Sequence, residues 1–260
     1  MRHIRRNERG QLTIGGHIAV DLAERFGTPL YVYSGDGLVA HYAAFASAVS
    51  ELDCVVHYAV KANSSLGVLG LLAQQGAGAD IVSGGEMKRA LIAGIAPEKI
   101  VFSGVGKTDD EIRAALQAGI AQINAESATE LRHISQIAAE TERQAPVALR
   151  VNVNVDPGSH AKISTGQRST KFGIPVADGE AAMLYRQLCS DPNLIPRGLA
   201  VHIGSQLRKL EPFERAYQEL LALADMLRAE GLDVPVLDLG GGLGVDYDCL
   251  LYTSPSPRDR

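Results

Sequence analysis

Val55-Val56-His57-Tyr58-Ala59-Val60-Lys61-Ala62-Asn63 is the stretch from which the fold is read. Val55 to Val60 has the apolar content of a short buried strand. It delivers Lys61 at its C-terminal end and turns out through Ala62, Asn63 and Ser64. No carboxylate stands beside Lys61 in sequence, and a desolvated ammonium is costly unless it is neutralised or paired. Two readings follow. Lys61 is a surface lysine at a strand end, or it is an amine whose pKa is lowered by burial and which condenses with a carbonyl as a Schiff base. The choice rests on the residues that accompany it further along.

Downstream of Lys61 the pattern is regular. Helix 66–75 is closed by Gly76 and followed by strand Ala79 to Val82. Helix 84–93 is closed by Gly94 and followed by strand Lys99 to Phe102. Helix 108–118, closed by Gly119, leads to strand Ala121 to Asn124, and helix 127–143 leads to strand Val147 to Val153. A longer loop over 154–172 precedes helix 177–190, strand Leu199 to Ile203, helix 212–230 ending at Gly231, and strand Val236 to Leu239. Short unbroken apolar strands alternating with helices indicate parallel strands covered on both faces. Counting from Val55 there are seven strands, one short of a closed eightfold barrel.

Polar groups follow nearly every strand: Lys61, Ser83 with Glu86, Ser103, Asn124 with Glu126, Asn152 with Asn154, His202 with Ser205, and Gly240-Gly241-Gly242. A doubly wound sheet would gather such groups at one crevice. A barrel with its site at the strand C-termini distributes them in this way. The predicted fold class is therefore α/β, a (β/α)8 TIM-type barrel that is incomplete because its eighth strand is missing. Upstream, Leu12 and Ile14 around Thr13 predict a short strand or arm. Ile18 to Phe26 has helical spacing and stops at Gly27, Pro29 to Tyr33 reads as a strand, and a helix runs from about Gly37 to Ser50.

The chain has 260 residues, 46% hydrophobic and 21% charged, with a formal net charge of -5. That is enough for a large core in one barrel or two smaller domains. No basic run marks a nucleic-acid partner, and no apolar segment marks a signal peptide or membrane span. Cys54, Cys189 and Cys249 are too few and scattered for a disulfide framework or a zinc site, so they read as two core thiols and one in the tail. The expected setting is cytoplasmic, with a small-molecule partner and no metal.

Leu237-Asp238-Leu239-Gly240-Gly241-Gly242-Leu243-Gly244 is a strand running into a glycine turn. Backbone N–H groups of such a turn can cradle a phosphate, and barrels place phosphate after their seventh and eighth strands; a purely structural turn has the same sequence. His202-Ile203-Gly204-Ser205 sets an imidazole and a hydroxyl at the mouth of the sixth strand. The imidazole is either a satisfied structural residue or a ring that stacks on a flat cofactor, with Ser205 donating to a phosphate. Arg150, inside an apolar strand, needs a carboxylate or ring as partner. Asp80 and Glu86 flank Ser83-Gly84-Gly85, where Ser83 and Glu86 also fit a capping box.

Taken in order, Tyr58-Ala59-Val60-Lys61-Ala62-Asn63, Asp80-Ile81-Val82-Ser83-Gly84-Gly85-Glu86, Lys162-Ile163-Ser164-Thr165-Gly166 with Lys171-Phe172-Gly173-Ile174, His202-Ile203-Gly204-Ser205-Gln206 and the Asp238 to Gly244 turn resemble the diaminopimelate decarboxylase family. These are pyridoxal-phosphate enzymes with an alanine-racemase-like barrel and a second β domain. The resemblance spans roughly residues 15–248. It implies that Lys61 and His202 are catalytic, with Lys61 holding pyridoxal 5'-phosphate covalently and His202 stacking on its ring. It further implies that Ser205, Gly240, Gly241 and Gly242 bind the phosphate, and that Asp80, Glu86 and Arg150 line the pocket. The implied reaction is decarboxylation of meso-2,6-diaminopimelate to L-lysine by a homodimer.

The family's eighth strand, with its Glu-Pro-Gly-Arg segment, and the C-terminal β domain have no counterpart here. The expected organisation is an arm at 1–35 that would join that β domain, a pyridoxal-phosphate-binding barrel at 36–248, and a non-native tail at 249–260 resembling translated vector sequence. The expectation is an inactive fragment of a decarboxylase, its first and seventh strands left with unpaired edges. Another decarboxylase or racemase of the family, a non-catalytic pyridoxal-phosphate carrier and a regulatory module stay open as alternatives.

Overall fold

A computed structural model describes residues 3–155 and 172–245. The Lys162 to Gly166 motif, Lys171, Cys249 and the tail at 249–260 lie outside the described residues. Contacts divide the chain into two compact units, Met1–Ala121 and Gln122–Arg260.

The first unit opens with three short strands, β1 (Ile4–Arg6), β2 (Leu12–Ile14) and β3 (His17–Ile18), in an antiparallel sheet of that order. The strand expected around Thr13 therefore pairs with its own neighbours, Arg5 opposite Thr13 on one side and Thr13 opposite Ile18 on the other. Helix α1 (Ala19–Phe26) ends at Gly27 as expected. Pro29 to Tyr33, expected as a strand, forms none, and Tyr31 is 88% exposed. β-Propensity records how a side chain fits a pleated surface and cannot supply a ladder partner, which this segment lacks.

Helix α2 (Gly35–Ala48) begins where the Ser34 hydroxyl accepts the Gly37 N–H at 3.2 Å. Then come β4 (His57–Ala59), α3 (Leu66–Gln74), β5 (Gly78–Ile81), α4 (Gly84–Ile92), β6 (Ile100–Phe102) and α5 (Asp109–Ala118). β4 pairs with β5 and β5 with β6, all parallel, with Ala59 opposite Asp80 and Asp80 opposite Val101. Ile81, Ile100, Phe102, Ile112 and Leu69 form the sealed apolar interior that makes this arrangement favourable. Cys54, expected in the core, is exposed.

The second unit holds β7 (Gln122–Ala125), α6 (Ala128–Glu140), β8 (Ala145–Asn152), β9 (Ile174–Pro175), α7 (Glu180–Ser190), β10 (Leu194–Val201), α8 (Glu211–Ala229) and β11 (Val236–Asp238). Its parallel sheet runs β11-β10-β8-β7, with β9 paired to β8. β10 starts five residues before the expected Leu199. The register shifts between Pro196 and Gly198, and the strand continues through the irregularity. Tyr185 of α7 is fully buried and donates to the Asp233 carbonyl at 2.7 Å, fixing the chain just before β11.

Helix starts set the loops that follow the strands. Ser83, Thr108 and Ser127 cap α4, α5 and α6 by accepting the N–H of Glu86, Glu111 and Glu130. Glu111 closes a full capping box onto Thr108. Glu86 and Glu130 reach one residue further back, accepting the N–H of Val82 at 2.8 Å and of Glu126 at 2.7 Å. Glu86 thus takes the helix-start role that its spacing allowed.

Candidate functional site

In the first unit, Lys61 does not sit on the strand. β4 ends at Ala59, and Val60–Ala62 forms one 3-10 turn. Val60 is sealed in the core while Lys61 is exposed, so of the two placements open from the sequence the structure has the exposed one: the turn buries its first residue and sends the second outward. The loop after it is fixed. The Tyr58 hydroxyl donates to the Asn63 carbonyl at 3.3 Å, the Asn63 side chain accepts the Ser65 N–H at 2.9 Å, and Arg89 donates to the Ser64 carbonyl at 3.2 Å. Burial, reinforced by Tyr33, pushes the Tyr58 phenol up against the opposing effect of its bond to Asn63. Asp80, opposite Ala59, accepts the Ser103 hydroxyl at 2.6 Å, which orients its carboxylate at the strand ends.

In the second unit, Arg150 finds the partner its sequence context demanded. Its guanidinium donates to Glu126 at 2.9 Å, with the two side chains 12% and 2% exposed, and it lies 5.2 Å from the centre of the Phe172 ring. Glu126, noted in sequence only as a polar residue after a strand, is therefore a full member of the site. The signal for it was present: in Gln122-Ile123-Asn124-Ala125-Glu126 every second residue is polar on an otherwise buried segment. That alternation marks a face turned to polar surroundings.

The glycine turn and the His202 loop run side by side. Leu207 N–H donates to the Gly242 carbonyl and Gly244 N–H to the Leu207 carbonyl, both at 2.9 Å, while the Gln206 side chain accepts the Val245 N–H at 3.1 Å. Gly241 N–H donates to His202 Nδ1 at 3.3 Å, which leaves Nε2 as the ring nitrogen that carries a proton. Gly240 and Gly242 have φ of 67° and 106°. A Cβ on Gly240 would meet the Val201 carbonyl, and one on Gly242 the Gly204 carbonyl, so both glycines are required by the loop contact itself. Gly241 is different: a Cβ there would meet nothing within 4 Å. Its open flank is the part of the turn with room for an anion, and Ser205 on the neighbouring loop is exposed.

Beneath the turn, Asp238 accepts the Gly240 N–H at 2.9 Å and the Asn124 amide at 2.9 Å, and Gln122 donates to Asn124 at 2.7 Å. β8 and β10 separate β7 from β11 in the sheet. Three strand spacings amount to roughly 14 Å in a flat sheet, too far for two short side chains to meet. The four strands must therefore curl, bringing Asn124 and Asp238 together across the concave face. Burial, and after it the Asp238 carboxylate, push the Tyr217 phenol up from its ordinary value. Among the described residues no cluster of His, Cys, Asp and Glu could hold a metal ion. Nor is any helix there long and apolar enough to cross a membrane.

The first unit thus presents an exposed amine at the exit of β4, and the second an imidazole, a hydroxyl and an open glycine flank on adjoining loops. Residues 36–250 match the family described as pyridoxal-dependent decarboxylase, pyridoxal binding domain, and the chain belongs to that family. Its relatives include diaminopimelate decarboxylases. That of Vibrio cholerae is 50% identical over 249 residues, covering 96% of this chain and 59% of its own. Two solved structures are similar over most of this chain. Diaminopimelate decarboxylase from Helicobacter pylori complexed with L-lysine has a TM-score of 0.85 at 40% identity, over 88% of this chain and 58% of its own. The enzyme from M. jannaschii has a TM-score of 0.89 at 37% identity, over 94% and 58%. This likeness bears out the expected α/β fold class, and the chain spans somewhat over half the length of these relatives.

Proposed function

We propose that this chain carries the cofactor-binding part of a pyridoxal 5'-phosphate-dependent carboxy-lyase that converts meso-2,6-diaminopimelate to L-lysine. The observation that carries this reading is the match of residues 36–250 to the pyridoxal binding domain, within which Lys61 stands on the single turn at the exit of β4. The substrate is taken from the relatives, which act as diaminopimelate decarboxylases by name. Residues 36–248 form the cofactor-binding region and 1–35 an arm. The enzyme is a cytoplasmic homodimer.

When bound, the cofactor supplies an electron sink for the carbanion left by loss of carbon dioxide. The chain's own residues have narrower tasks. Lys61 Nζ holds the cofactor covalently. His202, its Nδ1 engaged by Gly241 N–H, keeps a fixed ring orientation and would stack on the cofactor's ring. Ser205 and the Gly240 to Gly242 turn bind the phosphate, chiefly at the open Gly241 flank. Asp80, oriented by Ser103, and Arg150, paired to Glu126, are the further residues assigned to cofactor binding.

The test is titration of the purified chain with pyridoxal 5'-phosphate, followed by borohydride reduction and peptide mapping. A visible-region band fixed by reduction on the peptide containing Lys61, and absent from Lys61→Ala, is the expected result. Labelling spread over several surface lysines, unchanged in Lys61→Ala, would overturn the assignment.

A further inference from the structure

The turn proposed above to bind phosphate does not rest on its glycines alone. Asp238 is the residue that ties it down: one carboxylate oxygen accepts the Gly240 N–H and the other accepts the Asn124 side chain, each at 2.9 Å. Asn124 is 2% exposed, and its amide cannot rotate without cost, because its oxygen accepts from Gln122, itself 3% exposed, at 2.7 Å. Gln122 and Asn124 are two apart on β7, so they share one face of the strand. Donor and acceptor roles are thereby fixed along the series. Gln122 donates to Asn124, Asn124 donates to Asp238, and Asp238 accepts from the backbone of the turn.

We propose that Gln122, Asn124 and Asp238 are positioning residues that hold the Gly240 to Gly242 turn in the conformation that receives the cofactor's phosphate. This rests on the reading of the turn as the phosphate site. A carboxylate suits position 238 because its two oxygens accept in two directions at once. An amide there would offer a donor to one side, facing either Asn124 Nδ2 or the Gly240 N–H. Such buried relays are sensitive to a single mismatch, because a donor left against a donor keeps its desolvation cost and gains nothing.

The relay makes an unusual rescue possible. Asn124→Asp alone sets two carboxylates against each other, and Asp238→Asn alone sets two amide donors against each other, abandons the turn, or forces the buried Asn124 and Gln122 amides to turn over together. The double variant Asn124→Asp/Asp238→Asn restores the three bonds named above, with donor and acceptor exchanged between positions 124 and 238. Asp at 124 accepts from Gln122 and from the new amide at 238, whose oxygen accepts the Gly240 N–H. Affinity is measured by absorbance for pyridoxal 5'-phosphate and for pyridoxal, which lacks the phosphate, and amide hydrogen exchange at Gly240 is followed without any ligand.

Each single variant is expected to lose about tenfold or more in affinity for pyridoxal 5'-phosphate, while pyridoxal stays within about twofold. Exchange at Gly240 accelerates in both single variants, and the double variant recovers both properties. Should a single variant fail to fold by circular dichroism, recovery of fold, Gly240 protection and phosphate preference in the double variant still supports the relay. A double variant no better than the worse single one refutes it, as does equal loss for both ligands. If the unmodified chain binds the two ligands equally, the phosphate reading itself falls and the relay's role falls with it. Loss of the relay alone is the case in which the unmodified chain prefers the phosphorylated ligand and the variants keep that preference.

Discussion

Replacing Arg150 by methionine is the most informative perturbation of stability. The side chain keeps its length and much of its apolar contact but loses the charge that faces Glu126 at 2.9 Å. Glu126 has a side chain only 2% exposed, so its carboxylate cannot turn to water for compensation. Removing one member of a buried ion pair costs about 3–5 kcal/mol. The contact of the guanidinium with the Phe172 ring, 5.2 Å away, is lost with it, a further contribution of about 0.5–2 kcal/mol. Glu126→Gln is milder, since the amide oxygen still accepts from an arginine that is partly exposed; about 1–2 kcal/mol is expected from the weakened charge-assisted bond.

The two together should cost less than their sum, because the double variant leaves no buried charge unmatched. A coupling of about 2 kcal/mol separates this from independent effects. Urea unfolding followed by circular dichroism is the assay. With a slope of about 3 kcal/mol/M, Arg150→Met should lower the midpoint by about 1 M or more. Strict additivity, or a midpoint for Arg150→Met within about 0.2 M of the parent, would refute the claim that the pair holds this unit together. Arg150 would then be a cation kept for ligand alone, and its loss would appear only in cofactor affinity.

Two further predictions concern the helix start at α5 and the glycine turn. Glu111 accepts from Gly84 N–H at 2.6 Å and from the Thr108 backbone and hydroxyl at 3.0 Å, and these donors, Gly84 first, hold its carboxyl below the usual 4.5. Glu111→Ala should cost about 1–3 kcal/mol near neutral pH. A depressed folded pKa gives stability that is present above the unfolded value and lost as pH falls through the folded one. The gap between parent and variant in urea midpoint should therefore close below about pH 4.5; a gap that persists in strong acid would contradict the carboxylate's role. Gly242→Ala, forced against the Gly204 carbonyl at φ of 106°, should lower stability by about 1–3 kcal/mol, whereas Gly241→Ala should leave the thermal midpoint nearly unchanged and weaken pyridoxal 5'-phosphate binding. Equal stability losses at the two positions would show that the loop contact does not distinguish them.

The alternation of strands and helices was legible because each βα repeat buries apolar runs whose length and punctuation are local properties. The helix starts were legible for the same reason: Ser83 and Glu86 are three residues apart, and their bonds are made within one turn. Features decided by distant partners were not legible. Pro29 to Tyr33 has the composition of a strand and no strand to pair with. β10 runs through Pro196 and Gly198 because its neighbours carry it across the irregularity. Arg150 was recognised as needing a partner, but Glu126 lies 24 residues away and Asp238 lies 114 residues from Asn124, so only the folded sheet could name the pairs. Lys61 shows the limit most plainly. The strand was recognised, yet a single turn placed after it decides that Val60 is buried and Lys61 exposed.

The structural and functional readings of the Gly240 to Gly242 turn are compatible, because they fall on different residues. Gly240 and Gly242 are glycine because the turn packs its backbone directly on the loop after β10, and either Cβ would collide with a carbonyl oxygen there. Gly241, between them, is held by its N–H to His202 Nδ1 but has open space where a side chain would lie. A turn fastened at both flanks has room for an anion at its centre, where the anion would share or compete for the Gly241 N–H that His202 accepts. The same fastening fixes the imidazole ring, since Nδ1 is occupied by the turn. Loosening the turn should therefore disturb His202 and phosphate affinity together. If Gly242→Ala altered phosphate affinity without changing the His202 ring environment seen by NMR, the two sites would be mechanically separate and the turn would serve the phosphate alone.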